Sequence, residues 1–176
     1  MDPIKILDVA LYGFTIVEWS MAVLVLVSWR RLDRTGRLVG GWILAALIAE
    51  LLAFSTARLL HNSQYTVYLW FPVSLFFTLT ALGTMHDDPR TGRLFRKVWV
   101  GYMIAWVALL LTVDHPGNYS LLLSPLHALI LAGAAAFTLA ARVGESQVQL
   151  MRDGKFVIAT GWLLYAIPTV MLTNLT

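Results

Sequence analysis

Six apolar runs, each long enough to cross a bilayer as a helix, are separated along the chain by short polar connections. A hydrocarbon core of about 30 Å takes about 20 residues at a helical rise of about 1.5 Å each. The runs are Val9–Trp29, Leu38–Leu60, Tyr65–Thr84, Leu94–Val113, Leu121–Ala141 and Phe156–Leu172. Inside lipid each backbone must close its own hydrogen bonds, which selects helices over isolated strands. The pattern predicts an all-α polytopic membrane bundle of six transmembrane helices, arranged as three hairpins in one domain over residues 1–176. Asp88 and Pro89 mark the start of the fourth helix, Asp as a cap and Pro in a first turn that needs no amide donor. Trp29, Trp42, Trp70 and Trp99 are expected near span ends, where indole rings favour the headgroup zone. Pro72, Pro125 and Pro168 are expected to soften the outer ends of their helices; the alternative is a cavity lined by the carbonyls they free.

Charge turns this pattern into a topology. Eleven of the thirteen Lys and Arg residues fall in three connections: Arg30, Arg31, Arg34 and Arg37; Arg90, Arg93, Arg96 and Lys97; Arg142, Arg152 and Lys155. Basic residues are retained on the cytoplasmic side, so both termini are expected outside an inner (plasma) membrane. Only Lys5 and Arg58 fall on the other face. A 59% hydrophobic content with 13% charged residues, and a mean hydropathy of +0.72, exceed what one soluble core could hide. The net charge of +3 does not point to nucleic acid, because its carriers sit beside membrane spans where anionic headgroups account for them. Cysteine is absent, which removes disulfides and thiolate chemistry. No small-residue cleavage pattern follows the first run, so it is expected to stay in the protein.

Small residues recur every fourth position in two of the runs. Gly41, Ala45, Ala49, Ala53 and Ala57 do so in the second, and Ala128, Ala132, Ala136 and Ala140 in the fifth. Such stripes let another backbone approach closely where lipid supplies no hydrophobic drive for association. They are expected to be packing faces of interior helices. The pentapeptide Arg34-Thr-Gly-Arg-Leu38 also returns as Arg90-Thr-Gly-Arg-Leu94, 56 residues later. Parallel repeats of hairpins occur in transporters, but short cytoplasmic loops draw on Arg, Gly and Thr in any case.

Glu18 and Glu50 are the acids deep within spans. Each lies 16 residues from Arg34, so an antiparallel hairpin sets them at one depth near mid-membrane. A charged carboxylate there costs about 2.5–3.5 kcal/mol on insertion scales, and two within reach would share a proton. With His127, the one histidine inside a span, they form the candidate proton or ligand site. His127 is also where a pigment or haem would be held, although no ligand spacing of the H-E-x-x-H kind supports a metal. Arg58, His61 and Asn62 form an outer polar belt, suited to an anionic headgroup or to simple anchoring of a helix end. No spacing of nucleophile, base and oxyanion donor marks an enzyme. The sequence is therefore read as a small non-catalytic integral-membrane protein, a subunit of a larger membrane assembly or a membrane-embedded binding module, with lipid and other membrane subunits or copies of itself as partners. The alternative is a proton-coupled transporter or channel built on the glutamate pair.

Overall fold

The computed structural model describes residues 3–115, 120, 122–145 and 153–173, and among these the chain is entirely helical. Its elements are α1 (Pro3–Ser28), α2 (Arg34–Leu60), α3 (Gln64–Thr84), α4 (Pro89–Thr112), α5 (Leu123–Glu145) and α6 (Gly154–Thr173). Leu121, the expected start of the fifth span, and Arg152 of the third basic connection lie outside the described residues. Among the described residues, four helices contain stretches long and apolar enough to cross a membrane: Arg34–Leu59, Gln64–Thr84, Pro89–Thr112 and Leu123–Val143. In α1 the stretch Thr15–Ser28 is apolar but shorter.

Several helices begin earlier than their apolar runs because a cap, rather than hydrophobicity, sets the end. Asp33 accepts the amide of Gly36 at 2.7 Å and starts α2 one turn before Leu38. Asp88 accepts the amide of Arg90 at 2.9 Å, with Pro89 opening α4. Each carboxylate takes a donor that the first helical turn leaves unpaired. The α2–α3 turn is equally defined. His61 takes a left-handed conformation (φ 53°) that closes α2, and Asn62 accepts the amide of Gln64 at 2.8 Å.

The centre of the bundle is α3, which packs against α2, α4 and α5; α1 lies on α2, and α6 on α5. Leu75, Leu79, Leu82 and Met85 in and just beyond α3 are buried with Phe95 and Tyr102 of α4, Leu131 and Ala135 of α5, and Ala159, Trp162 and Ala166 of α6. The expectation of an interior α2 is corrected here. Its main neighbours are α1 and α3, and Ile48, Leu51 and Phe54 are left exposed. Apolar exposure continues around the bundle, with Val27 79%, Leu59 80% and Leu111 79% exposed. Water would penalise a surface of this kind, whereas lipid does not.

Two tryptophans of α4 fasten it to α3 at a proline. Pro72 has no amide hydrogen, so the carbonyl of Tyr68, four residues earlier, loses its helical donor. The indole N–H of Trp106 donates to that carbonyl at 3.1 Å, and the indole N–H of Trp99 donates to the carbonyl of Pro72 itself, also at 3.1 Å. The proline thus neither ends the helix nor lines an open cavity. Its freed acceptor becomes a helix–helix contact. Nearer the basic end Gly83 and Gly92 meet: a Cβ on Gly83 would stand 3.2 Å from the Gly92 Cα, so α3 and α4 touch backbone to backbone. Three polar links hold the same end of α3. Thr35 and Thr84 share a hydroxyl hydrogen bond of 2.9 Å, His86 Nε2 lies 3.1 Å from the Thr138 hydroxyl, and the Arg142 guanidinium donates to the Met85 carbonyl.

The Trp106 contact generates a double-mutant prediction. Trp106→Phe should destabilise the protein in detergent by about 1–3 kcal/mol, the cost of leaving a shielded carbonyl unpaired. In a Pro72→Ala background the restored amide claims the same carbonyl, so the penalty should shrink by at least about half. Chemical unfolding of the four proteins measures this coupling. Equal penalties in both backgrounds would show that the indole contributes by packing alone.

Candidate functional site

α1 and α2 run antiparallel about the turn before Arg34, and this hairpin brings the two glutamates together. Glu18 of α1 and Glu50 of α2 stand on the same side of this hairpin. Glu18 is half-buried and Glu50 exposed. They face a cleft of about 290 Å³ bounded by α1, α2, α3 and α6. Ala46, Ala49 and Ala53 supply its small-residue side, and Trp42, Trp70 and Tyr165 its aromatic one.

The aromatic wall is a connected unit. Trp42 lies 5.9 Å from Trp70 and 5.9 Å from Tyr165 between ring centroids, with Trp162 edge-on behind it at 6.5 Å. The indole N–H of Trp42 donates to the Ser74 hydroxyl at 3.0 Å, so this indole offers a guest ring carbon and π electrons rather than a free N–H group. Trp42 is thus bonded within the bundle, and so is Trp99, which donates to the Pro72 carbonyl. A helix wheel alone does not reveal this, because the relevant partners, Ser74 and Tyr165, come from other helices.

His127 stands elsewhere. It is buried in α5, stacked on Phe71 at 5.1 Å between centroids and edge-on to Tyr102 at 6.2 Å, and it is not among the residues lining the glutamate cleft. Its Nδ1 and the Tyr102 hydroxyl are buried without hydrogen-bond partners among the described residues. Among the described residues, no group of three or more His, Asp or Glu side chains is placed to hold a metal ion.

The outer belt is built into helix ends. Arg58 lies over the Phe54 ring at 4.1 Å from its centroid, while His61 and Asn62 form the α2–α3 turn. Asp114, which in the sequence groups with His61, His115 and His127 as a candidate ligand and carries no helix-start signal, is buried where α4 ends. It accepts the Ser120 hydroxyl at 2.9 Å and the Leu123 amide at 3.1 Å, capping α5 from the preceding connection. No helix-start pattern would have found it, because α5 begins nine residues after it. Of the α2 alanines, Ala45, Ala49 and Ala53 are half-buried and Ala57 is exposed; of those in α5, Ala128 is buried, Ala132 half-buried, and Ala136 and Ala140 exposed. The buried face of α5 runs instead through Ala128, Leu131, Ala135 and Thr138.

No protein-family model matches this chain, and neither a curated protein nor a solved structure matches it.

Proposed function

We propose that this protein is a non-catalytic integral-membrane binding module whose glutamate–aromatic cleft receives a positively charged, otherwise apolar group from within the bilayer. The single observation behind this reading is that Glu18 and Glu50 line one cleft together with the Trp42, Trp70 and Tyr165 wall. One unneutralised negative charge in a low-dielectric surrounding is costly, and a cationic nitrogen relieves it. Aromatic faces favour the same guest through their negative quadrupole. A volume of about 290 Å³ is at the small end of ligand pockets, which suits a headgroup whose apolar remainder lies in lipid. A basic side chain on a partner helix has the same chemistry, so the reading of the protein as a subunit of a larger assembly uses this site too. Within the proposal all six helices cross an inner membrane as three hairpins, with the basic connections cytoplasmic and both termini outside.

A second reading is that the two neighbouring acids share a proton. Exchange of that proton for a cation is the elementary step of proton-coupled transport, and Glu50 is the more exposed member of the pair. In that case the cleft would have to open alternately to the two sides.

Binding of phenyltrimethylammonium, followed by tryptophan fluorescence, tests the first reading. The Glu18→Gln and Glu50→Gln double variant should weaken binding at least about tenfold, equal to about 1.4 kcal/mol. Ala49→Leu, which fills the cleft, should weaken it as well, whereas Ala108→Leu on an exposed face should not. An uncharged isostere, tert-butylbenzene, should bind poorly throughout. Indifference of the cation to the double variant would remove the proposal. Proton-driven uptake of the same cation into proteoliposomes, lost in Glu50→Gln, would establish the second reading.

The topology has its own measurement. The chain has no cysteine of its own, so single introduced thiols report cleanly. Thr35 is buried and bonded to Thr84, which makes exposed Arg31 the better cytoplasmic reporter, with exposed His115 for the other face. An impermeant thiol reagent on intact cells should label His115→Cys and spare Arg31→Cys. The reverse pattern would invert the proposed orientation.

A further inference from the structure

At the basic end of the bundle a second and larger cleft, about 800 Å³, lies between the α1–α2 turn and α3, with Trp29, Arg34 and Arg37 toward its polar end and Leu38, Gly41 and Phe77 along its apolar side. We propose that this cleft binds an anionic phospholipid, its phosphate held by Arg34 and Arg37 and the start of an acyl chain against Phe77. It shares with the cation-binding reading only the premise that the chain lies in a bilayer.

Four features of the molecule converge on this ligand. Arg34 and Arg37 are three residues apart in the first turn of α2, so they lie on one helix face. Both are exposed, and neither has an acidic partner among the described residues; the nearby Asp33 carboxylate accepts the Gly36 amide and caps the helix. Asp33 lines the same cleft but is engaged by the Gly36 amide, so the two planar guanidiniums match the geometry of a phosphate, which each can engage through paired N–H donors. The cleft is also amphipathic along its length, as a lipid is. Its apolar side is fixed rather than collapsible, because Gly41 admits the Phe77 ring so closely that a Cβ there would lie 2.7 Å from a ring carbon. Finally, the Thr35–Thr84 hydrogen bond of 2.9 Å ties the start of α2 to the end of α3 and holds the cleft's two walls in register.

The repeated pentapeptide provides a comparison within the same chain. Arg90-Thr-Gly-Arg-Leu94 has the same residues at the start of α4, but there Gly92 meets Gly83 backbone to backbone and the helices close on each other. Arg90 and Arg93 stand exposed on that surface. The two motifs have equal charge; what separates them is a cleft. A general attraction of basic loops to anionic membranes would treat them alike.

The test uses the full chain, delipidated in a neutral detergent, with lipid binding read by native mass spectrometry. Phosphatidylglycerol should bind at least about tenfold more tightly than phosphatidylcholine. The Arg34→Gln and Arg37→Gln double variant should lose that preference, while the Arg90→Gln and Arg93→Gln double variant should keep it. Phe77→Ala, which alters the apolar side and no charge, should weaken both lipids together. Circular dichroism establishes that each variant is folded; if the first double variant is not, Arg34→Gln alone, expected to lose about half of the preference in logarithmic terms, replaces it. Equal loss in the two arginine pairs would overturn the proposal in favour of a diffuse basic surface. Displacement of the lipid by millimolar inorganic phosphate would overturn it in favour of a soluble phosphate compound.

Discussion

The hydrogen bond from Trp106 to the Tyr68 carbonyl decides how the bundle is organised. In lipid an unpaired backbone acceptor finds no water, so the break that Pro72 makes in α3 must be answered by another part of the protein. α4 answers it with Trp106, and Trp99 adds a second indole on the next turn. That fixes α4 along one side of α3. The glycine contact between residues 83 and 92 continues the same seam toward the basic end. With one flank of α3 committed to α4, its other faces are left for α2 and α5, and α1 and α6 are added outside these. Both clefts lie on the α2 side of α3, away from that seam.

Helices were legible in the sequence because apolar length and capping residues are local signals. Asp88 and Pro89 open α4 where expected, and Asp33 shows why α2 starts before its apolar run. The meeting of Glu18 and Glu50 follows from counting residues on either side of one turn. What the sequence did not reveal is the aromatic wall opposite them. Trp42, Trp70 and Tyr165 come from three helices whose relative rotation depends on long-range packing, and an indole near a helix end reads equally well as an interfacial anchor or as a wall. Asp114 escaped for a related reason: its capped amide, Leu123, lies nine residues on, beyond the range of any helix-start pattern.

Small residues in a membrane helix carry two opposite consequences, and the sequence pattern does not separate them. Where another backbone advances, as Gly92 does on Gly83, the missing side chain becomes a contact. Where a rigid neighbour holds that backbone away, the missing side chain becomes space. Trp42, bonded to Ser74 and packed against Trp70 and Tyr165, stands beside Ala46, Ala49 and Ala53, and a cleft remains. An alanine stripe is therefore a statement about permitted distance; the residue opposite determines whether that distance is closed. Beside the α2 stripe stand large, rigid aromatics, so collapse would have to break the Trp42–Ser74 hydrogen bond to fill a gap that lipid or a ligand can fill at lower cost. The persistence of the cleft beside the two acids then follows from the same constraint that organises α3, namely that breaking a polar contact away from water is costly.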